Sequence, residues 1–322
     1  MISRRHLAAG LGAGLGAALA APHVARAQAQ PGAPVTIKVG SLKLIHSIAP
    51  HFYERFTPPG VQVEVIPFES PTDGKNAVVT KSVDFGTFGI AAAMLGAAAG
   101  EPIVLVATTC NRGAAIIAKK GGGIDSVRDM RGKRVAIWPG STQEMFFLER
   151  LRMEGMTVRD VTPVRVSFSE MHIMLARGDV DAYVGAEPGP GLSLATGVGS
   201  LVEYPYGTEL GSLNMVFGTH RDTIAERPDL VRTMLDIHRK ATEFAAANPA
   251  EMASMAVAKL GQRRDAVDAS VSNVELTWRL GPEQVRQART YADHMLSLKQ
   301  IRRLPDFATF LDTRFVDAMA AT

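Results

Sequence analysis

Two stretches of the chain repeat the same order of hydrophobic and polar positions. The first opens with VTIKVGSL (35–42), where apolar and polar residues alternate with the period of a half-buried strand. A helical stretch at 47–56 follows, stopped by Pro58 and Pro59. VQVEVIPF (61–68) reads as a second strand, a helical stretch reaches Ser82, and Val83 to Gly86 form a short strand. The second stretch opens with KRVAIWPGS (133–141), a strand ending in a Gly-Ser turn. A helix over 142–153, a strand VTPVRVSF (161–168), a helix to Arg177 and GDVDAYVG (178–185) complete it. Ile37 precedes Asp84 by 47 residues, and Val135 precedes Asp181 by 46. One α/β half-unit used twice predicts two similar lobes facing each other across a cleft.

Other segments extend this pattern. PIVLVAT (102–108) and AAIIAKK (114–120) read as buried strands, NMVFGTH (214–220) as a further strand, and the remainder as helical. Pro228 opens a helix whose Leu230, Met234, Ile237, Ala241 and Phe244 trace one apolar face, read as core packing, until Asn248 and Pro249 stop it. VDFGTFGIAAAMLGAAAGEP (83–102) stands apart for its small side chains. Its alanines favour a helix but offer little surface to bury, so the segment points to close approach by a ligand or a second helix. Ligand contact is expected at residues 87–89, and tight packing from Ala92 onward.

Composition narrows the reading. With 322 residues, 46% hydrophobic and 21% charged, the chain has room for two ordinary globular domains. The net charge of +3 invites an anionic partner, but Arg4, Arg5 and Arg26 fall within the first 29 positions, which hold no acid. The rest is charge-balanced, which removes the electrostatic footprint expected of a nucleic-acid or anionic-membrane binder. Residues 1–29 read as an export signal: SRRHLA (3–8) resembles a twin-arginine motif, and a Gly/Ala/Leu run at 7–21 leads to small-x-small cleavage sites ending at Ala27 and Ala29. An ordinary secretory signal is the alternative. Either one predicts a periplasmic protein, and the lack of a cysteine at the cleavage site speaks against a lipid anchor. Cys110 is the single cysteine, so no disulfide framework or cysteine-based metal cluster is expected.

Candidate chemistry sits at strand-to-helix junctions rich in Gly, Ser and Thr, where unpaired backbone N–H groups and a helix N-terminus face the carboxyl edge of a sheet. Three such junctions occur, at 45–47, 87–91 and 139–142. None is a phosphate loop, the eight histidines show no metal-ligand spacing, and no GxSxG elbow is present, so no metal, cofactor or catalytic set is expected. Glu187, in GAEPGPG, is a carboxylate at the end of a predicted strand, placed to accept hydrogen bonds from a ligand's N–H or O–H groups. The alternative is a loop carboxylate in water.

Four motifs in order, VDFGTFGIAAAMLGAAAGEPIVLVA (83–107), GIDSVRDMRGKRVAI (123–137), GSTQEMFFLERLRMEGM (140–156) and LARGDVDAYVGAEP (175–188), resemble the nitrate/sulfonate/taurine-type solute-binding proteins of ABC importers, the SsuA/THI5-like (NMT1) group. The resemblance covers nearly all of the chain beyond the signal. It implies an α/β, type II periplasmic-binding-protein fold, with one lobe from 34–120 plus 209–322, the other from 121–208, and hinges near 119–122 and 206–211. It further implies a monomer that captures a small solute (a sulfonate, nitrate-like ion, aromatic acid or pyrimidine-like compound) and delivers it to permease and ATPase subunits without chemistry. Ligand contacts carried over residue by residue are His46, Ser47, Thr87, Phe88, Gly89, Asn111, Ser141, Thr142 and Glu187, with Cys110 and Pro188 beside them. Arg112 is the one cation these loops suggest, Glu187 would repel an anion, and Phe88, Trp138 and Tyr183 are candidate stacking platforms. Two alternatives are an enzyme on the same fold, acting on a pyrimidine-like substrate, and an extracytoplasmic ligand sensor. The enzyme branch of the group carries a CCCFC motif, which this chain lacks.

Overall fold

The computed structural model describes residues 34–320; the expected export signal lies outside the described residues. The strands are β1 (Val35–Leu42), β2 (Val61–Phe68), β3 (Phe85–Gly89), β4 (Ile103–Arg112), β5 (Ala114–Lys119), β6 (Arg134–Ile137), β7 (Thr162–Arg165), β8 (Ala182–Ala186), β9 (Gly199–Glu203), β10 (Leu213–His220) and β11 (Val274–Leu276). The main helices are α1 (Pro71–Val79), α2 (Ile90–Ala99), α3 (Thr142–Met153), α4 (Phe168–Arg177), α5 (Gly189–Ala195), α6 (Arg221–Glu226), α7 (Pro228–Ala247), α8 (Pro249–Leu260), α9 (Arg264–Ser270) and α10 (Pro282–Ser297).

Two sheets result, ordered β11-β4-β10-β3-β1-β2 and β7-β6-β8-β5-β9. In each, the first strand of a repeat lies between its second and third strands, parallel to both, and an antiparallel strand from elsewhere follows: β10 beside β3, β5 beside β8. The repeat read from the sequence is thus two copies of one sheet core. This is the two-lobed periplasmic-binding-protein arrangement.

The sheets correct one expected boundary. β5 belongs to the second sheet, so the chain changes sheet at Arg112 and Gly113, both with positive φ, and not at 119–122. Strand β4 ends there because two successive left-handed residues cannot continue a ladder. The return passes between β9 and β10, through the expected 206–211 segment. Smaller differences are local. The stretch expected as a helix at 47–56 forms 3-10 helices, Ile45–Ser47 and Ala49–Phe56; β7 stops at Arg165 so that α4 starts at Phe168; and β11 interrupts the region expected to be wholly helical.

The small-residue segment acquires a packing reason. Gly86 and Gly218 are cross-strand partners, and the Phe88 ring covers both: a Cβ on Gly218 would lie 2.5 Å from Phe88 Cζ. A glycine pair leaves a bare patch of sheet that an aromatic ring fills without losing burial. The predicted stripe of α7 faces the core, with Met234, Ile237 and Ala241 buried and Leu230 and Phe244 partly buried.

Candidate functional site

The carboxyl ends of the parallel strands of both sheets open into one cavity of about 660 Å³. Lys43 and Leu44 follow β1, Glu69 and Ser70 follow β2, Trp138 and Pro139 follow β6, Arg165 ends β7 and Ala186 ends β8. The junction of α8 and α9 closes one side with Leu260 and Arg263. Strand ends on both halves of a repeat are where α/β sheets leave room for a ligand.

The charges on its walls are unequal. On the first lobe Lys43 pairs with Glu69 at 2.7 Å, and Asp73 stands in the first turn of α1. On the other side Arg263 holds Asp265 through two nitrogens, at 3.0 and 2.6 Å. Arg165 has no carboxylate partner among the described residues; its guanidinium lies 5.3 Å from the Trp138 ring centroid. The N-terminus of α4 opens beside it through Ser167 and Ser169. A free guanidinium next to a helix N-terminus favours an anion, and Leu44, Trp138, Phe168, Leu192 and Leu260 supply an apolar wall for an organic body.

His172, one turn into α4, also lines the cavity. Its Nδ1 is 2.9 Å from Ser193 Oγ, which is 2.7 Å from the Tyr183 hydroxyl. Burial, then the charge of Arg263, hold the imidazole below its ordinary pKa.

None of the nine expected contact residues lines this cavity; all are buried, most of them in polar layers outside it. His46 lies at the sheet crossover, its Nε2–H donating to Gly113 O at 2.7 Å. Ser47 and Thr87 bond one another at 2.8 Å, and Leu42 N donates to Thr87. Phe88 is core, for the reason given above, and Tyr183 is fully buried, so of the three aromatic candidates only Trp138 lines the cavity. Gly89 is where α3 comes closest: a Cβ there would lie 2.6 Å from Thr142 Oγ1. Thr142 donates to Asn214 O at 3.3 Å, and Ser141 caps α3 by accepting from Glu144 N at 3.1 Å. Asn111 donates to Glu275 at 3.1 Å.

Glu187 is neither a free ligand acceptor nor a solvated loop carboxylate. Its oxygens accept from Gly191 N at 2.9 Å, Ser270 Oγ at 2.8 Å and Asn273 Nδ2 at 2.9 Å. Burial raises its pKa, and these three donors pull the other way. Arg112 is exposed, 3.8 Å from Glu275, and outside the cavity. The cavity cations Lys43, Arg165 and Arg263 were missed, although the strand-end rule applied to the second strand of each repeat would have found Glu69 and Arg165.

A family model described as NMT1/THI5 like matches residues 55–252. The chain belongs to this NMT1/THI5-like family. Among sequence relatives, a protein of Brucella abortus named as a binding protein is 25% identical over 171 residues, 52% of each chain. An Escherichia coli protein named as aliphatic sulfonates-binding is 25% identical over 132 residues, 40% of this chain and 41% of its own. The chain therefore spans about half the length, or less, of these sequence relatives. Among solved structures, the alkanesulfonate-binding protein SsuA of Xanthomonas axonopodis pv. citri, bound to MOPS, has a TM-score of 0.78 at 20% identity, over 87% of this chain and 99% of that one. The desulfurization enzyme DSZB has a TM-score of 0.66 at 16% identity, over 89% and 99%. At these identities the likenesses establish the fold that the NMT1/THI5-like chain shares with a binder and an enzyme alike.

Proposed function

We propose that this NMT1/THI5-like protein is a solute-binding protein of the extracytoplasmic space, which closes on a small organic anion and delivers it, as a monomer, to the permease of an ABC importer. The observation that carries the reading is Arg165, a cation on the wall of a cavity shared by both sheets, without a carboxylate partner among the described residues and beside an apolar wall. An organic sulfonate, the ligand class in the names of the Xanthomonas and Escherichia coli relatives, combines the two features that wall would recognise. Nitrate would use the cation and leave the apolar wall wet.

The enzyme alternative draws support from the shared fold of DSZB, but the lone thiol is poorly placed for it. Cys110 is fully buried in β4, outside the cavity; burial pushes its pKa up, and the thiol donates to Asn111 O. A thiol so held is inert. The test of the binding role is thermal unfolding of the signal-free protein against sulfonates, nitrate, aromatic acids, pyrimidines and amines. A ligand at a hundred times its Kd adds about 2.7 kcal/mol, roughly 4 to 5 °C for a chain of this size. A shift confined to amines or pyrimidines refutes the anion reading.

A further inference from the structure

The chain of hydroxyls behind His172 has a direction. The Tyr183 hydroxyl is fully buried and bonds Ser193 Oγ, at 2.7 Å. A buried O–H left without an acceptor loses its water bond and gains nothing, so the Tyr183 proton goes to Ser193. Ser193 is itself fully buried, and its own proton then has His172 Nδ1, 2.9 Å away, as its acceptor. The reverse order would put a proton on Nδ1, direct the Ser193 proton at Tyr183, and strand the tyrosine proton in the core. A nitrogen that accepts carries no proton, so the neutral ring bears its hydrogen on Nε2. Nε2 has no partner among the described residues, and the ring lines the cavity.

We propose that His172 is a specificity-determining residue of the cavity: a neutral imidazole fixed as the Nε2–H tautomer by the positioning residues Ser193 and Tyr183, donating to an acceptor oxygen of the bound solute. The inference rests on the binding role proposed above. It assigns the ligand's acceptor group to the α4 side of the cavity, where Arg165 also stands. The charged group bearing on the ring is Arg263, whose cation, like burial, favours the neutral form. A neutral donor fixed in this way discriminates against ligands that present only N–H groups there, because two donors would then face each other without an acceptor.

Ring-nitrogen NMR of the histidine-labelled chain at pH 7, without ligand, reads the tautomer directly. The expected result is a single Nε2–H form for His172, with a second, Nδ1–H form appearing in Ser193→Ala. A protonated ring, or an Nδ1–H form in the unsubstituted protein, overturns the proposal. Calorimetric titration with butanesulfonate reads the ligand role: His172→Phe should weaken binding about tenfold or more, and His172→Gln, which keeps an N–H donor, should restore most of it. Equal affinity of His172→Phe and the unsubstituted protein overturns that role. Failure of the unsubstituted protein to bind butanesulfonate counts against the anion reading alone, and the ring-nitrogen result then decides the tautomer by itself.

Discussion

Asp84 Oδ2 accepts from the backbone N–H of Lys38 at 2.8 Å, and Asp181 Oδ2 accepts from the backbone N–H of Arg134 at the same distance. The two bonds are equivalent positions of the internal repeat: each aspartate precedes the third strand of its lobe and holds the backbone of the first, at Lys38 within β1 and at Arg134 where β6 begins. The acidic residue of VDFG and that of GDVDA are therefore strand clamps, with Arg227 and Arg134 as their cationic partners. Replacing either by alanine should lower stability by about 1 to 2 kcal/mol, seen as a lower urea midpoint, while leaving ligand affinity unchanged. Hydrogen bonds from Arg134 hold Asp181 below its ordinary pKa. Its contribution is therefore present above the unfolded carboxylate pKa and is lost as pH falls through the lower folded value.

Gly113→Ala tests the crossover. The backbone there has φ +77°, and a Cβ would lie 1.9 Å from His46 Nε2, an overlap that burial prevents the ring from relieving. The substitution should cost about 3 kcal/mol or more, measured by chemical unfolding, or abolish folding.

Glu187 separates stability from binding. Glu187→Ala leaves the donors of Gly191, Ser270 and Asn273 facing a void and should cost about 3 kcal/mol. Thermal unfolding should register this loss, and titration at a temperature where the variant stays folded should show ligand affinity within about threefold. A large loss of affinity without loss of stability would return Glu187 to the ligand.

Arg165→Ala should do the opposite. With no carboxylate partner among the described residues to strand, its removal should shift the melting temperature little, and should weaken an organic anion by about 1.5 to 3 kcal/mol, read by calorimetry as roughly 10- to 150-fold.

Acid should loosen the fold through two histidines. Burial lowers the pKa of both His46 and His238 to about 4 from an ordinary 6.5. His238 is locked as a neutral ring, accepting from the Tyr53 hydroxyl at 2.7 Å and donating to Thr108 O at 2.8 Å. Their folded values are depressed, so the stability is fully present above pH 6.5 and drains away as pH falls towards 4, about 2 kcal/mol for each at pH 5. Urea midpoints at pH 7 and pH 5 measure the drop, and it should be smaller in His238→Gln.

What the sequence determined was whatever depends on neighbours along the chain. Alternation in 35–42 and 61–68, the proline stops, the serine before α3 and the recurrence of an aspartate ahead of each third strand are local signals, and strand, helix and repeat follow from them. The two-lobed fold and the family were legible for that reason. The tertiary structure decided which strand joins which sheet, because β5 and β10 pair with partners from the opposite half of the chain: the turn at Arg112 and Gly113 sends β5 into the second sheet, and the segment between β9 and β10 brings β10 back to the first. It also decided which side chains meet the cavity. A residue at a strand end faces a ligand only if no other part of the chain fills that space, and Ser270, Asn273 and Asn214 had already reached Glu187 and Thr142. Arg165 and His172 were left at the cavity wall because the chain reaches the cavity from five strand ends and the α8–α9 junction, a convergence in space that no spacing in sequence encodes.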